Sequence, residues 1–374
     1  MTEVIMTTTY VCPSAGTYTI APLTTVCETE TVWVYPTPAS YAPGTYTQPE
    51  VITTVTETDY VIFCPFTSPA PAPVASTTYA PAPVVTSTQA AAVSTPTEVS
   101  TTSSSGSSTS LGSSGNQWAI TYSPYNSDES CKDASSVMAD ITLIKSKGFQ
   151  TVRVYSTDCS GLQNIGSACE AVGLKMILGI FISNTGISGA QQQVSDIVSW
   201  GKWSLVELIV VGNEAIFSGF CTASELAAFI TSCKSAFSAG GYTGPCTTTE
   251  PLNILQESTE ALCAVVDVVG CNIHPFFNAD VDAGSAGSFV ASQLAIVDQL
   301  CSGKSGINLE TGWPSAGECN GRACPGTNEQ ATAVAGIIAA AGGKSVMFSF
   351  VDDYWKEPGA FNCEQSWGSI QLFN

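Results

Sequence analysis

Two glutamates stand where a carboxylate is hardest to justify on structural grounds alone. Glu310 follows the apolar Ile307 and Leu309 and runs directly into Thr311-Gly312-Trp313-Pro314; Glu214 follows Leu208–Val211 and the pair Gly212-Asn213. Each apolar run reads as a buried strand, and the glycine and proline beyond it stop that strand. A carboxylate at such a place must find hydrogen bonds or shift its pKa. Two of them suit a division of labour, one held protonated to assist a leaving oxygen and the other ionised to attack or stabilise an electron-poor carbon. Glycoside hydrolysis needs that pair, with retention or inversion set by the separation of the two groups.

The elements that must position them follow from the pattern of the chain. The glutamates are 96 positions apart, which is three units of a fold that repeats a strand and a helix about every 30 residues. Carboxylates three strands apart on one rim face each other across a barrel mouth. Strands are expected near Ala119–Tyr122, Thr151–Tyr155, Leu174–Phe181, Leu208–Val211, Gly244–Thr248, Val265–Ile273, Ile307–Leu309 and Ser345–Val351. Helical patterns fall between them, as at Ser135–Lys147, Gly189–Trp200, Ala223–Ala239, Ala286–Leu300 and Glu329–Ala340. Eight alternating strands over residues 118–374 predict a (β/α)8 TIM barrel. An open doubly wound sheet is the alternative, but no glycine-rich phosphate turn follows the first strand.

Around the pair, Asn213 is placed to hydrogen-bond a sugar 2-hydroxyl. The stretches Val211–Ala215 and Leu309–Ser315 resemble glycoside hydrolase family 17, the β-1,3-glucanases, in its fungal cell-wall branch. Supporting similarity lies in Ile120–Tyr125, Val152–Ser156, Asn272–Phe277 and Phe350–Lys356, so the resemblance covers about 118–374. It implies a (β/α)8 barrel, a retaining mechanism, Glu310 as nucleophile and Glu214 as acid/base. It also implies a β-glucan substrate, with hydrolysis or transfer to a second sugar as the outcome, and no cofactor or metal.

Aromatic faces suit the apolar faces of sugar rings. Tyr122, Tyr155, Phe276, Phe277, Trp313 and Trp355 are therefore candidates for the rim, with His274, the only histidine, as a structural or sugar-contacting group. Arg153, on an apolar strand, is expected to fix the charge of the nucleophile. Glu250 is a binding or supporting candidate, and Asp352, Asp353 and Glu364 border the last strand. Gly303-Lys304-Ser305 is no phosphate loop, because Asp298 stands where that pattern needs glycine.

The rest of the chain bounds compartment and partners. A net charge of −20 repels phosphate backbones and makes nucleic acid an unsuitable partner. With one histidine and no C-x-x-C, the 15 cysteines read as disulfides of an oxidising compartment, one thiol left over, and Cys319 with Cys324 as a short bridge. No apolar run is long enough to span a membrane, and no signal peptide is visible at the first residues. Residues 1–67 form a Thr/Cys-rich module, β-structured or extended, and 68–117 a Pro/Ala/Ser/Thr-rich linker. Such a chain is expected to be a secreted monomer in contact with the cell-wall matrix.

Overall fold

The computed structural model describes residues 111–113 and 115–374 throughout, and ahead of them only short strand segments between Thr2 and Ile62. Those segments pair two by two. Thr2–Ile5 runs antiparallel to Val51–Thr54, Thr8–Cys12 to Gly44–Gln48 and Gly16–Tyr18 to Ala39–Tyr41, while Trp33–Val34 is parallel to Val61–Ile62. The linker expected over 68–117 lies almost wholly outside the described residues.

From Ala119 onward eight parallel strands close on themselves: β1 (Ala119–Thr121), β2 (Thr151–Val154), β3 (Lys175–Ile180), β4 (Val206–Asn213), β5 (Cys246–Pro251), β6 (Val269–Asn272), β7 (Gly306–Thr311) and β8 (Ser345–Met347), which pairs back to β1. Helices α1 (Ala134–Ser146), α2 (Gly161–Val172), α3 (Gly186–Trp200), α4 (Ala223–Ala239), α5 (Leu252–Leu262), α6 (Ala286–Leu300) and α7 (Thr327–Ala341) follow the first seven strands in turn. The architecture is a (β/α)8 TIM barrel, and its closure rules out the open sheet. Beyond β8 the chain returns through two 3-10 turns, Ala360–Asn362 and Ile370–Leu372, in place of an eighth α-helix. The strand expected over Val265–Ile273 is confined to β6, because Val265 and Val266 bond back to Leu262 and finish the turn after α5.

Strand alternation separates two apolar layers. Trp118, Ala119, Ile177, Leu208, Val210, Ile307, Leu309 and Val346 fill the barrel interior, with Leu111 packed against them. Val152, Val154, Ile209, Val211, Val269 and Cys271 face outward into the layer shared with the helices. Helix starts are chemically marked, by Asp133 accepting from the Ser136 N–H ahead of α1 and by a Thr222/Glu225 capping box ahead of α4.

Both strands that lead to the glutamates break this alternation. On β7, Cys271 of β6 opposes Asn308 and Asn272 opposes Glu310, so β7 carries one extra residue; the pairing with β8 slips by the same one residue. On β4, Val210 opposes Thr247 but Asn213 opposes Thr249, with Gly212 at φ +81°. A one-residue bulge re-aims every side chain beyond it. Leu309 points into the barrel, so strict alternation would send Glu310 out toward the helices; the bulge turns it to the mouth instead. Asn213 is redirected in the same way.

Three disulfides lie among the described residues, Cys131–Cys159, Cys263–Cys301 and Cys319–Cys324. Cys169, Cys233, Cys246, Cys271 and Cys363 are buried free thiols and Cys221 a half-buried one. The disulfide reading of the cysteine content therefore holds in part: of the twelve cysteines from Cys131 to Cys363, six pair and six pack as small apolar groups.

Candidate active site

Glu310 lies at the end of β7 with both oxygens occupied. Its Oε1 accepts from Arg153 Nη1 at 3.0 Å and from the Tyr155 hydroxyl at 2.7 Å, and Oε2 meets His274 Nε2 at 3.2 Å. Burial pushes this carboxyl up, but the Arg153 charge, the His274 contact and the Tyr155 hydroxyl together outweigh burial and hold it at about 2. Arg153 is itself only 1% exposed. It spans the barrel interior from β2, donating also to the Leu309 carbonyl at 2.5 Å and to Asn213 Oδ1 at 2.7 Å, while its guanidinium stacks on the Tyr155 ring. Tyr155 reaches that position because Gly179 on β3 has no side chain; a Cβ there would stand 2.3 Å from the Tyr155 carbonyl oxygen. Burial and the neighbouring Glu310 charge keep the Tyr155 hydroxyl well above its ordinary pKa, so it serves as a donor.

Glu214 opens the turn after β4, with φ +51°, a left-handed conformation rare outside glycine and concentrated at functional sites. Its backbone N–H donates to the Thr249 carbonyl at 2.9 Å. Asn272 Nδ2 donates to Glu214 Oε1 at 2.9 Å and lies 3.2 Å from Asn213 Oδ1. Burial first, and then the Glu310 charge, raise the pKa of Glu214; the Asn272 hydrogen bond works in the opposite direction without cancelling them. The two carboxyls are thus displaced in opposite senses. Asn272, the last residue of β6, and His274, two positions on, each hold one of them.

A cleft of about 360 Å³ opens over the pair. Its walls are Phe217, Asn272, His274, Phe277, Phe348 and Trp367, with Glu364 and the α5 start at its edge. Of the residues expected at the site, the fold brings together Glu214, Glu310, Arg153, Tyr155, Asn213 and His274, and Phe277 joins them at 43% exposure.

The other candidates sit elsewhere. Tyr122 belongs to the layer between barrel and helices, where its hydroxyl donates to Asp140 of α1. Phe276 and Trp313 are fully buried and pack edge to face, and the Trp313 N–H donates to the Cys324 carbonyl. Trp355 packs beside Tyr125 and donates to Asp353. Glu250 is fully buried and cannot touch a substrate; its oxygens accept from the backbone N–H groups of Ile216 and Phe217. Tyr122 and Glu250 follow strands with no extra residue of their own, where plain alternation turns them outward, and Phe276 and Trp313 lie in loops whose packing buries them. Asn272, Phe217, Phe348 and Trp367 escaped sequence reasoning. Asn272 alone carried a signal, as a polar residue two positions before His274 at a strand end.

A family model described as the BtgE/BtgC glycoside hydrolase domain matches residues 119–368, and one described as the N-terminal domain of probable β-glucosidase btgE matches residues 1–67. The chain is 55% identical over 385 residues to a probable β-glucosidase btgE of Aspergillus flavus, covering all of this chain and 62% of that protein. It is 57% identical over 386 residues to the Aspergillus fumigatus protein of that name, covering 68% of it. Among solved structures, a glycoside hydrolase family 17 β-1,3-glucanosyltransferase from Rhizomucor miehei superposes with TM-score 0.58 at 21% identity, over 68% of this chain and 92% of that one. An endo-laminarinase from Formosa gives 0.57 at 16% identity, over 68% and 82%. These structures share the barrel fold. The extent of the family match, together with relatives identical at more than half of their aligned positions, places this chain in the BtgE/BtgC glycoside hydrolase family.

Proposed function

We propose that the barrel is a retaining, family 17-type glycosidase acting on β-glucans, with Glu310 as nucleophile and Glu214 as acid/base. The observation that carries this reading is the opposite displacement of the two carboxyls in one cleft. A nucleophile must be ionised at working pH, and Glu310 is held so by Arg153, His274 and Tyr155. A general acid must keep its proton, and burial beside an ionised Glu310 raises Glu214.

In the first step a Glu310 oxygen bonds the anomeric carbon while Glu214 gives its proton to the departing glycosidic oxygen. Oε2, with the single partner His274, is the oxygen with a lone pair to spare. Forming the ester removes the Glu310 charge, and with it one cause of the raised Glu214 pKa. Glu214, having given up its proton, then stays ionised for the second step, in which it takes a proton from water, or from a sugar hydroxyl, that displaces Glu310. Asn213 Oδ1 is engaged by Arg153 and Asn272, which leaves its amide N–H groups for the sugar 2-hydroxyl.

Secretion and action at the cell wall belong to the same proposal, supported by the three disulfides and by a charge-poor, acidic composition. The test is product analysis on end-labelled laminari-oligosaccharides, wild type beside Glu310→Gln. Shorter products from wild type alone support hydrolysis, and longer ones transfer. Turnover by Glu310→Gln equal to wild type sinks the assignment.

A further inference from the structure

The turn that carries Glu214 also carries an exposed aromatic ring, and a buried acid holds both in place. Ser218 N–H bonds back to the Glu214 carbonyl and Phe220 N–H to that of Ala215, which makes residues 214–220 one compact turn. Glu250 reaches it from β5, taking the Ile216 N–H on one oxygen at 2.8 Å and the Phe217 N–H on the other at 3.1 Å. Its carboxyl is fully buried. A buried carboxylate is costly unless its lone pairs are filled, and here both oxygens are filled by one peptide loop. Phe217, the ring on that loop, is 59% exposed. It lines the cleft with Glu214, and no aromatic ring packs on it among the described residues.

We propose that Phe217 is a stacking platform for the hexopyranosyl residue on the leaving-group side of the scissile bond, and that Glu250 is the positioning residue that fixes it there. The inference rests on the glycosidase reading above. The side follows from chemistry: the acid must stand next to the departing oxygen, and Phe217 is three residues beyond the acid on the same turn. His274, which holds the nucleophile, packs with Phe348 and Trp367 around the ring under attack. Sugar rings present apolar faces that such an exposed ring would cover, and two backbone hydrogen bonds keep it from folding down.

The experiment compares two substrates on wild type, Phe217→Ala, Phe217→Trp, Glu250→Gln and the double variant Phe217→Ala/Glu250→Gln. β-Glucosyl fluoride has a single-atom leaving group and makes no platform contact, whereas laminaritriose must occupy the leaving-group side. For Phe217→Ala the fall in kcat/KM on laminaritriose should exceed that on the fluoride about tenfold, the upper end of one aromatic contact, and Phe217→Trp should restore the ratio. On the Glu250→Gln background, removing Phe217 should change that ratio no further, because the ring is already misplaced. Equal losses on both substrates, or losses from the two positions that simply add, overturn the proposal while leaving the glycosidase reading intact. A wild type inert on both substrates removes that reading and this proposal together.

Discussion

Replacing Arg153 by glutamine should move the acidic limb of catalysis upward by several pH units. Arg153 Nη1 lies 3.0 Å from Glu310 Oε1 with both side chains almost wholly buried. Unlike charges at that distance, with an effective dielectric of ~20, interact by about 5.5 kcal/mol, or about four decades in an acidity constant. His274 and Tyr155 remain as partners, so part of the effect survives. The carboxyl should rise from about 2 to roughly 5–6. In the proposed mechanism Glu310 acts as its anion, so activity is lost below its pKa, and raising that pKa cuts into the acid side of the profile. The assay is kcat/KM against pH on an aryl β-glucoside, whose limbs report the free enzyme. Breaking a buried ion pair costs about 3–5 kcal/mol of stability, so near-UV circular dichroism must show that the variant is folded. Tyr155→Phe removes one donor and no charge, and should raise the same limb by less. A folded Arg153→Gln with the wild-type acid limb would show that Arg153 does not set the nucleophile's charge.

Asn272→Ala removes the hydrogen bond that favours ionised Glu214, so the alkaline limb of the same profile should move up; a downward move would contradict the assigned donor. Glu250 titrates near 7, raised chiefly by burial and offset in part by its backbone donors, against about 4.3 unfolded. The folded state therefore holds a proton that the unfolded chain releases between those values. Stability should fall as pH rises from about 4.3 to 7, and urea midpoints of Glu250→Gln should lack that slope. Opening the Cys263–Cys301 bridge, with 38 residues of separation, should cost about 4 kcal/mol and leave product chemistry unchanged, as denaturation of Cys263→Ser/Cys301→Ser beside product analysis would show. Gly179→Ala would drive a methyl group into the Tyr155 carbonyl and should lower both stability and kcat; a variant matching wild type in both would show that β2 can yield there.

Much of this was legible from residue order. Leu208–Val211 and Ile307–Leu309 announce strands through composition, and the glycine and proline beyond them mark where the strands end. Spacing along the chain then gives the barrel and puts the acids on one rim. Local pattern does not report the face of a residue beyond a bulge, because one extra residue reverses every later side chain. Tyr122 is a different case: β1 pairs regularly with both neighbours, and plain alternation turns Tyr122 outward with Ile120, to meet α1. Phe276 and Trp313 were lost for another reason: they interlock beneath their loops, and nothing periodic separates a ring that packs from a ring that waits for a ligand. Trp367 comes from the irregular return after β8, where no repeat exists to read, and Glu250 showed itself as an acid at a strand end but not the backbone it grips.

The extra residue on each acid-bearing strand has a consequence for inheritance. Were β7 to pair without its bulge at unchanged length, Leu309 would take the place opposite Asn272, Ile307 and Leu309 would stay inside the barrel, and the carboxylate would turn toward the helices. Such a descendant would keep its hydrophobic pattern, its closed sheet and the sequence Glu310–Pro314 while losing the proposed reaction. Loss of the bulge in β4 or β7, with no change in chain length, is a route by which a barrel of this kind becomes a silent scaffold that still looks like an enzyme.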